Sequence, residues 1–151
     1  MNIGVDICGI HFKNPVIAAS GTFGFGKEFA DYIDLDKLGG ICSKGLTLNK
    51  NLGNAGIRIH ETPSGIMNSI GLQNPGIEYF VNEELPFLLS KDTVTIANLG
   101  GHSVEDYVKS ASILDKTDVP MIELNISCPN VKEGGMAFGT DPTKASEVIS
   151  K

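Results

Sequence analysis

Four apolar, β-branched runs constrain the fold of this chain more than any other feature: Pro15 to Ala19, Gly40 to Ser43, Thr93 to Ala97 and Val119 to Leu124. Each is near-continuous in hydrophobicity rather than alternating, the pattern of parallel strands covered on both faces. Parallel neighbours need long crossovers, usually helical, and helical patterns occupy the intervals. Phe29 to Leu38 predicts a short helix stopped by Gly39-Gly40. Asn74-Pro75 opens a second, with Ile77, Phe80, Val81 and Leu85 on one stripe. Ser103 caps a third, in which Val104, Tyr107, Val108, Ala111 and Leu114 recur at three- and four-residue steps. Asp141-Pro142 starts a fourth, since Asp caps well and Pro suits a first turn. Ahead of the first strand, Val5 to Phe12 predicts a small hairpin that caps the sheet.

Four βα units fit either an open doubly wound sheet or part of a (β/α)8 barrel. A complete barrel takes about 250 residues, so a chain of 151 residues would supply roughly half of one. The strand ends favour the barrel. Each run finishes in a polar residue followed by a turn: Ser20-Gly21, Ser43-Lys44-Gly45, Asn98-Leu99-Gly100-Gly101 and Asn125-Ile126-Ser127-Cys128. Ser and Asn often do no more than cap turns. Polar residues at the carboxyl ends of four strands out of four, a lysine among them, mark the rim where α/β proteins build sites.

Bulk properties narrow the function. A net charge of -6 argues against a nucleic-acid partner, which calls for a basic face. No run approaches the ~20 apolar residues of a membrane span, and MNIGVDICGIHFKNP lacks the pattern of a signal peptide. Cys8, Cys42 and Cys128 are odd in number and lack metal-ligand spacing, which predicts free thiols in a cytoplasmic protein without a metal site. The segment Gly21 to Glu28, GTFGFGKE, approaches a P-loop, but Glu28 stands where a hydroxyl must meet magnesium. A dinucleotide pattern fails because Phe29 replaces its last glycine. Cys128 precedes a proline in a loop, so it is either an inert thiol or, if tuned by its surroundings, a proton acceptor. Gly134 and Gly135 further along suit a mobile loop. His60 and His102 are read as loop residues, Met67 as packing beside the turn that follows it, and Glu83-Glu84 as a solvated helix face.

The strings NPVIAASGTFGFG, SKGLTL, ETPSGIMNSIGLQNPG and ELNISCPNV resemble the dihydroorotate dehydrogenase family, in particular its class 1B catalytic (FMN) subunits. The resemblance runs through essentially all 151 residues, in family order and spacing. It implies a (β/α)8 TIM barrel, of which residues 1–151 are the amino-terminal half, with FMN at the carboxyl ends of the strands. The cofactor contacts implied are Ser20, Gly21, Lys44, Gly45, Asn98 and Asn125. The substrate contacts implied are Lys44, Asn68, Ser69, Ile70, Gly71, Leu72 and Asn125, and Cys128 takes the position of the catalytic base. The implied reaction is oxidation of dihydroorotate to orotate in pyrimidine biosynthesis. Hydride would pass to FMN, and electrons would continue to NAD through a partner subunit carrying FAD and an iron–sulfur cluster, in a heterotetramer built on a homodimer. A cysteine base, rather than serine, goes with a soluble enzyme and not a membrane-associated one. Strands five to eight, a further flavin-contacting lysine and the phosphate site would lie beyond these residues. Two other readings stay open: a non-catalytic half barrel, and a related flavoenzyme acting on dihydropyrimidines.

Overall fold

The computed structural model describes residues 3–127 and 136–151. Strands β1 (Val5–Ile7) and β2 (Ile10–Phe12) form the expected antiparallel hairpin. The four apolar runs become β3 (Ile17–Ala18), β4 (Gly40–Cys42), β7 (Val94–Leu99) and β8 (Met121–Leu124). They make one sheet in the order β3-β4-β7-β8, every pair parallel. Spatial order therefore follows chain order, without the reversal that defines a doubly wound sheet. This is the arrangement of a barrel wall.

Alternation along the strands sends Ile41, Ala97 and Leu99 toward the helices, where they pack with Ile77, Phe80, Leu88, Tyr107 and Leu114 in the main core. The opposite face carries Cys42 and Ile96, closed from below by Phe12 of the hairpin. Phe12 is wholly buried, and a buried Phe contributes about 1.5–3 kcal/mol, which fixes the hairpin as a plug under the sheet. Above this apolar floor the inner positions turn polar, ending in Asn98 on β7 and Glu123 on β8, which stand opposite each other in register.

Ser103 and Asp141 cap their helices as expected: the Ser103 side chain accepts from the Asp106 N–H, and the Asp141 side chain from those of Thr143 and Lys144. These are α3 (Val104–Leu114) and α5 (Pro142–Ile149). The second helix is divided into α1 (Ile77–Tyr79), a π turn over Phe80–Glu84, and α2 (Leu85–Leu89). Pro86 lies just after the π turn and has no N–H to give, so the ladder must change register there. A short helix α4 (Met136–Gly139) precedes α5 and has no counterpart in the sequence reading.

Several expectations fail. Residues 29–38 form no α-helix but two 3-10 turns, Lys27–Phe29 and Leu35–Lys37. Asp34 takes the Asp36 N–H onto its side chain, the local competition that makes Asp a poor helix interior residue. His60 lies on a strand, β5 (Ile59–Thr62), paired with β6 (Gly65–Asn68) in a second hairpin. Met67 sits on β6 and is 61% exposed rather than packed. Glu84 is buried and ion-paired to Lys27 at 2.9 Å, whereas Glu83 stays in solvent as expected.

Candidate functional site

The carboxyl ends of the four parallel strands, together with the segment after β6, enclose one cavity of about 820 Å³. Ser20, Gly21, Lys44, Gly45, Asn68, Ile70, Gly71, Leu72, Asn98 and Asn125 all line it. Of the expected contacts among the described residues, Ser69 alone is absent from that lining. Its N–H donates to the Arg58 carbonyl at 2.8 Å and its carbonyl and hydroxyl accept from Asn54, which places it as the anchor behind the turn. Cys128 lies outside the described residues.

The turn itself is held in an uncommon backbone. Gly71 has φ 76° and Leu72 has φ 57°. Only glycine takes the left-handed region without cost, and a leucine there carries strain of about 1–3 kcal/mol. Asn74 compensates from below. It is buried, its Oδ1 accepts from the Thr47 N–H, Thr47 hydroxyl and Gly76 N–H, and its amide nitrogen donates to the Leu72 carbonyl at 2.8 Å. One side chain thus ties the turn to the loop that follows β4. Gly45 is needed for close approach: a Cβ there would stand 2.8 Å from Leu72 Cδ1 and 2.9 Å from Asn98 Oδ1.

The polar groups are ordered by one another. Ser20 donates its hydroxyl proton to the Ser43 carbonyl at 2.7 Å, which leaves its oxygen free to accept. The Lys44 N–H donates to the Gly24 carbonyl, which pins the start of its loop. The Asn98 backbone N–H donates to the Ser43 hydroxyl, and its carbonyl accepts from the Leu46 N–H. Asn125 is held through its carbonyl, which accepts from the Tyr107 hydroxyl at 2.7 Å.

Ile17, Ala19, Cys42, Glu123, Leu124 and Ser127 also line the cavity and lie outside the sequence-based set; of these, Cys42 and Glu123 bear on its chemistry. Glu123 accepts from the Asn98 side-chain amide, and the Cys42 thiol donates to it at 3.3 Å. Burial, and then the neighbouring Glu123 carboxylate, push the Cys42 thiol up to about 12. It is therefore a protonated donor at neutral pH and unfit as a base. Strand alternation could have found both residues: Cys42 and Glu123 each lie two positions before a named cavity residue, Lys44 and Asn125, and so share their face. No group of three or more His, Cys, Asp or Glu able to hold a metal occurs among the described residues.

A parallel wall in chain order, with a polar cavity on its carboxyl-terminal rim, defines a partial (β/α)8 barrel, the fold that places its sites at the strand ends. A sequence model of the family described as dihydroorotate dehydrogenase matches residues 2–151. The chain is 63% identical over 147 residues to the dihydroorotate dehydrogenase B (NAD(+)) catalytic subunit of Petrotoga mobilis, covering 97% of this chain and 49% of that protein. It is 57% identical over 148 residues to the protein of the same name from Caldicellulosiruptor bescii, covering 98% of this chain and 49% of that protein. The crystal structure of the Eimeria tenella enzyme in complex with ferulenol superposes with a TM-score of 0.71 at 19% identity, over 99% of this chain and 42% of that one. The chain belongs to the dihydroorotate dehydrogenase family. It spans about half the length of the curated relatives it matches.

Proposed function

We propose that residues 1–151 are the amino-terminal half of a single (β/α)8 domain, and that the whole protein oxidises dihydroorotate to orotate with FMN as cofactor. The observation that carries this reading is convergence: Ser20, Lys44, Asn68, Asn98 and Asn125, from separate sequence motifs, surround one cavity. Its volume, about 820 Å³, lies within the ~300–1,000 Å³ of small-molecule sites. The donor set fits a flavin ring. Asn amides both donate and accept, as an imide edge requires, and the glycine at 45 lets a planar ring approach the backbone where a Cβ would crowd Leu72 and Asn98.

Ser20, Gly21, Lys44, Gly45, Asn98 and Asn125 would hold the flavin. Lys44, Asn68, Asn125 and the segment Ser69 to Leu72 would hold the substrate, with Ser69 acting by anchoring the turn. FMN, when bound, supplies the acceptor for the hydride that leaves C6 of dihydroorotate. Lys44 places a fixed cation where negative charge gathers, the preorganised stabilisation that lowers such barriers most. Cys128 takes the proton from C5, and the C5–C6 double bond of orotate forms. Cys42 does not compete for that role, because its thiol holds its proton to about 12.

The names of its relatives, catalytic subunits of dihydroorotate dehydrogenase B (NAD(+)), support reading the whole protein as such a subunit. Its electrons then leave through a partner subunit, with FAD and an iron–sulfur cluster as the relay, and two catalytic subunits form the centre of a heterotetramer. The reading places the enzyme in the cytoplasm; no helix among the described residues is long and apolar enough to cross a membrane.

The test is an anaerobic visible spectrum of the full-length catalytic subunit carrying this sequence, before and after dihydroorotate. A flavin spectrum that bleaches is expected. Cys128→Ala should keep the flavin and lose roughly 10²–10⁴-fold in reduction rate, the usual contribution of a positioned base. A colourless protein, or near-normal reduction in the variant, sinks the reading.

A further inference from the structure

We propose that Glu123 is a positioning residue that sets the polarity of the cavity's asparagine amides, and through them the edge presented to the flavin. The inference rests on the flavoenzyme reading above and deepens it. Three side chains form a directed relay across the sheet. Asn125 Nδ2 donates to Asn98 Oδ1 at 3.0 Å, and Asn98 Nδ2 donates to Glu123 Oε1. Asn125 Oδ1 in turn accepts from the N–H and hydroxyl of Ser127, each at 3.3 Å. All four residues line the same cavity.

An asparagine amide can be turned end for end with little change in shape, and a pair of amides can reverse together. A carboxylate removes that freedom, because it only accepts. Glu123 therefore obliges Asn98 to point its nitrogen down and its oxygen toward Asn125, and Asn125 must then answer with its own nitrogen. Each amide has a second N–H beyond the relay, and these donors are fixed in place by the carboxylate. The Cys42 thiol braces the same oxygen, donating to Glu123 Oε1 at 3.3 Å. The strand register makes the arrangement possible, since Asn98 and Glu123 are direct partners across β7 and β8.

Glu123→Gln keeps the volume but removes both the acceptor-only character and the negative charge, so both amides are free to invert. In the full-length flavin-loaded subunit the variant should fold, lose roughly tenfold in kcat/KM for dihydroorotate as the buried Asn98 amide loses its matched partner, and show a flavin midpoint potential moved to more positive values, because a negative charge at the cavity has been removed. A role in packing alone moves neither: Glu123→Gln would then match the parent while Glu123→Ala is impaired, and that result overturns the proposal. Should the Gln variant not fold, the unsubstituted protein decides. One side-chain amide proton on each of Asn98 and Asn125 should exchange slowly with solvent, and exchange as fast as that of the exposed Gln73 overturns the relay. An unsubstituted protein whose flavin fails to bleach with dihydroorotate refutes the enzyme reading instead, so the two failures are told apart.

Discussion

Cys42 shows how one residue's surroundings decide its chemistry. Its neighbour on the inner face is the Glu123 carboxylate, its flanking strand positions are buried, and its thiol is raised from 9.0 to about 12. Both causes disfavour the thiolate. Between about pH 9 and pH 12 the unfolded chain gives up this proton while the folded one keeps it. Linkage then makes the contribution complete below pH 9 and steadily lost as pH rises through that window. The same shift protects the sulfur from alkylation, which needs thiolate. Treating the native protein with iodoacetamide at pH 9 should label the exposed Cys8 and leave Cys42 unmodified by peptide mass analysis. Equal labelling of the two would mean that the thiol is neither shielded nor held protonated. Cys42 looks like an ordinary strand residue in the sequence. What converts it into a donor is Glu123, 81 positions away, a proximity that no local pattern encodes.

Among the elements, the segment between β6 and α1 matters most for the site, and Asn74 is its fulcrum. Its side chain joins the Leu72 carbonyl, both polar groups of Thr47 and the Gly76 N–H. Asn74→Ala would strip the acceptor from two buried backbone donors, at about 1–3 kcal/mol each, and leave the left-handed Leu72 unsupported. A loss of about 3 kcal/mol in unfolding free energy is expected by urea titration, with a higher KM for the proposed substrate, dihydroorotate, because the turn that lines the cavity relaxes. Unchanged KM alongside lost stability would show that the turn holds its shape without this tie. Legibility differed by element in the same way. Strands β3, β4, β7 and β8 and helices α3 and α5 could be read directly, because continuous apolar runs and caps are local signals. The hairpin of β5 and β6 could not: His60, Ile66 and Met67 are exposed, so no face is marked by burial. Residues 29–38 misled for the opposite reason, offering apolar spacing while Asp34 and the turn at Gly26 held the backbone in 3-10 form. In the site, cavity residues with motif signatures were legible, whereas Glu123 had to be found through its place opposite Asn98.

At the scale of the whole molecule, the sheet has two outer strands, β3 and β8, each paired on one side only among the described residues. In a closed (β/α)8 barrel those edges meet further strands. The helical layer next to β8 is also open, with a groove of about 340 Å³ lined by Val108, Ala111, Ile122, Leu124, Val148 and Ile149. Ile149 is 65% exposed there. An unpaired strand beside apolar surface is a template for another chain. The 151 residues produced alone should therefore associate, their sedimentation coefficient rising with concentration, and should hold flavin poorly, because the barrel that closes over the cavity is incomplete. If the chain is half of a barrel, as proposed, supplying the second half of a family barrel as a separate chain should suppress self-association and restore flavin absorbance together, since one set of strands would cover both edges. If the isolated residues stay monomeric at every concentration, the edges are better protected than their exposure implies. If they bind flavin unaided, the cavity rim described here is already the whole of the ring-binding site, and the remaining strands serve closure rather than recognition.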